Sequence, residues 1–268
     1  MKFTFERDSI MVTYELEIEG RELYIADCNN ELNSGPFVFW PLDPVEDESW
    51  ENVANLVHEM TPDKDFTLIG FKVNAWDYEM SPWPAEVFKG RKFEGGGESV
   101  LEWLVNSCIP ELEKKLNVAY ILSEAWSMTE DNPKEQEEWY RDYYIAGYSL
   151  AGLFSLWTYF ESCVFSGVAS ASGSLWYPGF IEYASKHELI DDTKIYLSLG
   201  NKEEKSKNRL MASVGDITRQ LSVLFNHAAK EGTLLDFKYE IEEGNHFNNP
   251  QLRLAKGIAW LLDSNVKF

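Results

Sequence analysis

An α/β fold, with a mostly parallel sheet, helices on both faces and an antiparallel meander in front, is what this 268-residue chain predicts. Three observations predict it. From Pro36 onward, short apolar runs alternate with amphipathic stretches of helical period, the pattern of parallel strands joined by crossover helices. Ahead of that lie runs that alternate between apolar and polar residues and are separated by charged or glycine breaks, as half-exposed antiparallel strands are. A hydrophobic content of 44% is enough for one sizeable core, and no internal repeat or flexible linker divides the chain. A single unit over residues 1–268 is therefore expected, with N-terminal strands over 1–35 and an α/β core over 36–268.

The meander reads FTFERD, IMVTYELEIEG and RELYIADC. PFVFW opens the core and is followed by a helix near 49–60 and the strand DFTLIGFKV. ESVLEWLVNSCIPELEKKLN has helical period, which puts Val100, Trp103, Leu104 and Ser107 on one face. The glycines of FEGGGES form a flexible entry to that helix; without a following lysine they do not make a phosphate-binding loop. TEDNPKEQEEW is polar enough to be a solvated excursion. After it come the strand DYYIAG, a helix over about 150–160, the strand CVFSGVASAS and a helix near 179–187. The strand TKIYLSLG, a long helix near 208–231, the strand LLDFKYEIEE and a last helix near 250–263 complete the order.

Charge and cysteine usage narrow the function classes. With 24 Lys and Arg against 45 Asp and Glu, the formal charge is −21, which argues against a nucleic-acid partner, because phosphate binding needs a basic surface. No window approaches eighteen uninterrupted apolar residues, and MKFTFERDSI lacks the basic flank and apolar run of an export leader, so a cytoplasmic protein without a membrane partner is expected. Cys28, Cys108 and Cys163 are odd in number and unrelated in spacing, which reads as reduced thiols. No HExxH or comparable metal-ligand spacing occurs.

The segment YYIAGYSLAG carries the chemistry. It places Ser149 between an apolar run and a helix and matches G-x-S-x-G except that Ala151 stands for the last glycine. Small neighbours are needed there because the serine sits on a sharp, strained strand-to-helix turn. That turn exposes the hydroxyl and aims the next amide, that of Leu150, at a developing oxyanion. Gly147 and Gly152 by themselves would equally serve a tight turn, so partners decide the reading. His58 and His187 fall in helical segments and His227 in a long amphipathic helix. His246, in IEEGNHFNNP, emerges instead from a strand end by way of Gly244, in the order this kind of nucleophile requires. The third member is an acid at the end of the strand between them, which holds the imidazole in its useful tautomer. KIYLSLGNKEEK offers Glu203 and Glu204, with Glu203 favoured because it lies three residues beyond Gly200; Asp191 and Asp192 stand behind because they precede the strand.

These stretches resemble the esterase branch of the α/β-hydrolases that includes enterochelin esterase-like proteins and S-formylglutathione hydrolases. GYSLAGLFSLW is similar to that group's nucleophile elbow, VFSGVASASGSLWY to the strand and serine-tryptophan turn after it, YLSLGNKEEK to its acid strand and EEGNHF to its histidine loop. The likeness covers roughly residues 36–263, and WDYEMSPWP resembles the branch's aromatic, proline-containing loop. It implies an α/β-hydrolase fold. The departures are Ala151 and the sequence Pro41, Leu42, Asp43 in place of a glycine-containing turn. Pro41 has no amide proton, so Leu42 is the candidate second oxyanion donor.

Strand-end loops form the crevice in such sheets, and two of them here are aromatic: Trp76, Tyr78 and Trp83 in one, Trp176 and Tyr177 in the other. An aromatic mouth suits an aryl or otherwise flat acyl group, and together with the resemblance it implies aryl esters that include catecholate siderophore esters. Against a multiply anionic siderophore stands the overall charge, unless Lys202, Lys205 or Arg209 offsets it. The sequence thus points to a serine esterase acting on a small-molecule ester through Ser149, His246 and Glu203, with no cofactor. A hydrolase-fold binding protein, an acyltransferase and a peptidase are the alternatives, because one triad serves several chemistries.

Overall fold

A computed structural model describes residues 3–4, 11–28, 35–42, 50–116 and 141–263. The polar stretch TEDNPKEQEEW lies outside the described residues. Strands β1 (Phe3–Thr4), β2 (Val12–Ile18) and β3 (Arg21–Asp27) form the antiparallel front. After them come β4 (Phe37–Leu42), helix α1 (Trp50–Met60), β5 (Thr67–Lys72) and the short α2 (Trp76–Glu79). A hairpin of β6 (Pro84–Phe88) and β7 (Arg91–Glu94), not anticipated above, leads into α3 (Gly97–Trp103). The second half of the sequence supplies β8 (Tyr143–Tyr148), α4 (Leu150–Glu161), β9 (Gly167–Ala171), α5 (Phe180–Ala184) and β10 (Lys194–Gly200). It ends in α6 (Arg209–Ala212), α7 (Val214–Glu231), β11 (Asp236–Glu242) and α8 (Pro250–Leu262).

Nine described strands make one sheet in the order β1-β2-β3-β5-β4-β8-β9-β10-β11. Pairing is antiparallel as far as β3 with β5 and parallel from there on. The central parallel strands β4, β8 and β9 are mostly apolar because both faces are covered, whereas the edge strand β11 carries Asp236, Lys238, Glu240 and Glu242 at alternate positions. On β4, Phe37 and Phe39 join the core under α3, α4 and α7, while Val38 and Trp40 join the core under α1 and α8. On β10 the same alternation sends Ile195, Leu197 and Leu199 one way and Tyr196 the other.

Two helices depart from the simple period. After α3 the chain makes a π turn over Leu104–Cys108, in which the Ile109 amide bonds Leu104 O, and helix then resumes to Leu116. Pro110 lacks an amide hydrogen and crowds the preceding turn, which the wider π turn accommodates. The long helix near 208–231 is broken at Ser213, with Asn208 capping the first piece through bonds from the Leu210 and Met211 amides.

Candidate active site

The parallel register brings the C-terminal ends of β8, β10 and β11 to one edge of the sheet, and the polar side chains of interest leave from those ends. Ser149 lies between β8 and α4 with φ 58° and ψ −121°, a conformation that costs a non-glycine residue about 1–3 kcal/mol. Its surroundings enforce it. The Ser149 amide donates to Ala171 O (3.2 Å), and its carbonyl accepts from the Leu153 and Ser174 amides (3.1 and 2.8 Å). Gly147 is required because a Cβ there would stand 2.2 Å from Ala151 O, and Gly152 because a Cβ would meet Gly173 Cα at 2.9 Å. Close approach falls on Gly152, so the buried Ala151 keeps its methyl group.

His246 projects from the loop between β11 and α8. Gly244, at φ 104°, turns that loop, and Asn248 Oδ1 ties it by accepting from the Asn245 amide (2.8 Å). The Tyr148 hydroxyl donates to His246 O (2.5 Å), which fixes the histidine backbone beside the serine turn. The imidazole Nε2 is 2.9 Å from Ser149 Oγ, and Nδ1 is 2.8 Å from Glu203 Oε2. A carboxylate accepts only, so Nδ1 carries the proton and Nε2 accepts from the serine hydroxyl.

Glu203 opens a short 3-10 turn after β10, and its side chain is 5% exposed. Its second oxygen, Oε1, receives the Gly200 amide at 2.7 Å and Arg253 Nη1 at 3.0 Å. Burial pushes this carboxyl up. The hydrogen bond and charge of His246, with the Gly200 amide and the Ser172 hydroxyl, outweigh burial and leave it below the ordinary value. Glu204 points elsewhere, to an exposed pair with Arg219 (2.8 Å). Asp191 and Asp192 lie at the opposite end of β10, where the Asp192 amide bonds Thr233 O.

The amide of Leu150 has no partner within the protein among the described residues and is free to receive an oxyanion. Leu42 is a correction. Along β4, the Phe37 amide bonds Asp142 O on the β8 side, whereas Pro36 O and Leu42 O accept from Thr67 and Val73 on the β5 side. The amide and carbonyl of one strand residue share a side, so the Leu42 amide faces β5, away from Ser149. Pro41 faces the serine side and has no amide hydrogen. The described part of β4 therefore supplies no second donor.

A cavity of about 320 Å³ opens beside Ser149 and His246, and its lining includes Trp40, Trp76, Tyr148, Phe247 and Leu254. Trp76 was anticipated; Trp40, Tyr148 and Phe247 were not. Trp83, Trp176 and Tyr177 do not line it. Trp83 packs on Tyr177, Phe180 and Tyr183 and donates to Pro178 O (2.9 Å), Tyr177 donates to Trp83 O (2.7 Å), and Trp176 rests on Phe88. These rings fasten the β6/β7 hairpin to the segment after β9, because that hairpin, absent from the sequence reading, needs an apolar face to pack on. Tyr78 is 47% exposed and its ring covers Gly96. Lys202, Lys205 and Arg209 are exposed and none lines the cavity. Among the described residues, no cluster of three or more His, Cys, Asp or Glu side chains is placed to hold a metal ion, and no helix is long and apolar enough to cross a membrane.

No protein-family profile and no curated protein matches the chain. Solved structures do. The siderophore hydrolase EstA from Aspergillus nidulans superimposes with a TM-score of 0.66 at 14% identity, over 97% of this chain and 98% of that one. An IroE-like serine hydrolase from Shewanella oneidensis gives 0.69 at 16%, over 94% and 80%. The enterobactin esterase FES from Shigella flexneri, solved with 2,3-dihydroxy-N-benzoyl-glycine, gives 0.58 at 16%, over 94% and 59%. At such identities the likeness establishes the fold: the chain has the α/β-hydrolase fold, in the form found in siderophore and enterobactin esterases.

Proposed function

We propose that this chain is a serine esterase that hydrolyses carboxylic esters through Ser149, His246 and Glu203. The observation that carries the reading is the unbroken relay of 2.9 Å from Ser149 Oγ to His246 Nε2 and 2.8 Å from Nδ1 to Glu203 Oε2, set on a strained strand-to-helix turn. Ser149 Oγ attacks the ester carbonyl carbon as its proton passes to Nε2, and the carbonyl electron pair moves onto oxygen, where the Leu150 amide donates. Collapse expels the alcohol, which takes the proton from Nε2. Water then gives a proton to Nε2 and attacks the acyl carbon; the carboxylic acid leaves as Ser149 recovers its proton. Glu203 keeps the imidazole oriented and offsets its positive charge in both halves of the cycle.

The cavity suggests the substrate class. Trp40, Trp76, Tyr148 and Phe247 offer flat apolar faces, and its described lining holds no Lys, Arg, Asp or Glu. Ring contacts add about 0.5–1.5 kcal/mol beyond area burial, which favours aryl over long aliphatic esters. The siderophore and enterobactin names of the structural neighbours support testing siderophore-type esters within that class. A panel of phenyl, feruloyl, catecholate and aliphatic esters, run beside Ser149→Ala, tests the proposal. Turnover that is strongest for the aryl members and lost in the variant is expected. Equal turnover by Ser149→Ala overturns the serine mechanism, and a preference for small aliphatic acyl groups overturns the aromatic assignment alone.

A further inference from the structure

Arg253 sits on the first turn of α8, seven residues after His246, and is 1% exposed. Its position is unfavourable on two counts. A buried cation loses its hydration, and at a helix N-terminus it also opposes the helix dipole. Its contacts show what offsets this. Nη1 donates to Glu203 Oε1 (3.0 Å) and to Ser172 Oγ (2.9 Å), and Nη2 donates to Glu243 O (2.9 Å). One guanidinium thus joins the acid turn after β10, the end of β9 and the histidine loop after β11. Ser172 is also two residues before Ser174, whose amide holds the Ser149 carbonyl. The space is closed to alternatives, since a Cβ on Gly200 would come within 2.9 Å of Arg253 Nη1 and 2.8 Å of Glu203 Oε1.

We infer that Arg253 is a positioning residue of the catalytic unit: it clamps Glu203 Oε1 so that Oε2 stays on His246, and its charge limits how readily the Glu203–His246 pair takes up a proton. The inference rests on the triad reading above. The other groups facing the pair are Tyr148 on β8, Ser172 after β9, Tyr239 on β11 and the Glu204–Arg219 pair on the α7 side. Burial pushes both tyrosines up, so they are neutral across the working range, and Arg219 is shared by Glu204 and Asp216, so that exposed cluster adds no positive charge. Arg253 is therefore the buried cation held directly against the pair. Wherever the extra proton resides, on the imidazole or on the carboxylate, removing this cation favours its uptake. The acid limb of kcat/KM then moves to higher pH, by on the order of one unit.

The test compares Arg253→Gln, Arg253→Lys and the double variant Glu203→Gln with Arg253→Gln, with rates normalised to sites titrated by a fluorophosphonate. Arg253→Gln should lower kcat by about 10- to 100-fold, change KM less than about threefold and raise the acid limb; Arg253→Lys should leave the limb in place and recover part of kcat. On the Glu203→Gln background, adding Arg253→Gln should cost less than about threefold, and this charge-balanced variant gives a reading even where Arg253→Gln folds poorly. Imidazole NMR of His246 follows the same proton without any turnover, so the clamp can fail while the esterase reading stands, and the reverse. An unmoved proton uptake in Arg253→Gln, or a full additional loss in the double variant, overturns the inference.

Discussion

Replacing Glu203 or Glu204 with Gln separates two adjacent carboxylates to which the structure gives different surroundings. Glu203 Oε2 stands 2.8 Å from His246 Nδ1 at 5% side-chain exposure. When Nε2 takes the serine proton, an imidazolium forms with its charge about 4 Å from the carboxylate charge. At an effective dielectric near 20 that attraction is about 4 kcal/mol, and losing it from the transition state alone slows the chemical step about 10³-fold. The glutamine amide can also donate to Nδ1 and favour the wrong tautomer, which extends the loss toward about 10⁴. Glu204 pairs with Arg219 at 40% and 50% exposure. Exposed pairs of this kind contribute about 0–1 kcal/mol to stability and nothing to the reacting atoms, so Glu204→Gln should stay within about threefold of the parent. The assay is single-turnover acylation by a chromogenic aryl ester, normalised to titrated sites, with near-UV circular dichroism to verify folding. A folded Glu203→Gln within tenfold of the parent, or a Glu204→Gln that is the more damaging change, would refute the reasoning.

Three further variants have outcomes set by the packing. Gly147→Ala places a Cβ 2.2 Å from Ala151 O, so the turn must open; esterase rate should fall at least about 100-fold, and the thermal midpoint should drop by several degrees, as read by differential scanning calorimetry. Trp76→Ala should raise KM for aryl esters about tenfold with little change in unfolding free energy, because that ring faces the cavity. Trp176→Ala should do the opposite, costing about 3–5 kcal/mol in urea unfolding through lost packing on Phe88 while KM stays close to the parent value.

Which parts of this molecule can be read from the chain depends on whether their signal is local. The α/β order, the strand-to-helix turn at Ser149 and the strand ends that launch Glu203 and His246 all follow from period and spacing, and the structure places those three side chains within hydrogen-bond reach of one another. Non-local features gave no such signal. The pairing of β3 with β5 instead of β4 depends on a crossover that no hydrophobic period encodes. Trp40 looked like any core residue of β4, because only the sheet order decides that its ring ends beside Ser149. Phe247 differs from the rings chosen earlier in lying next to His246, so adjacency was the available clue; at 85% exposure it is the most open large apolar side chain among those described. The assignment of Leu42 failed on strand alternation, since one residue's shift along β4 turns an amide from the β8 side to the β5 side. Arg253 reads from sequence as a routine helix cation, and only the convergence of three loops on one guanidinium distinguishes it.

The central claim, that Ser149 is a nucleophile activated by His246, is tested most directly by mass spectrometry of the fluorophosphonate-treated chain alongside burst kinetics with a chromogenic ester. The account predicts one adduct per chain, on Ser149, and a burst of about one equivalent. It further predicts labelling slowed by orders of magnitude in His246→Ala, and kcat lower by about 10⁴ to 10⁶ in Ser149→Ala. An adduct on another serine, or ester turnover that survives Ser149→Ala undiminished, would contradict it.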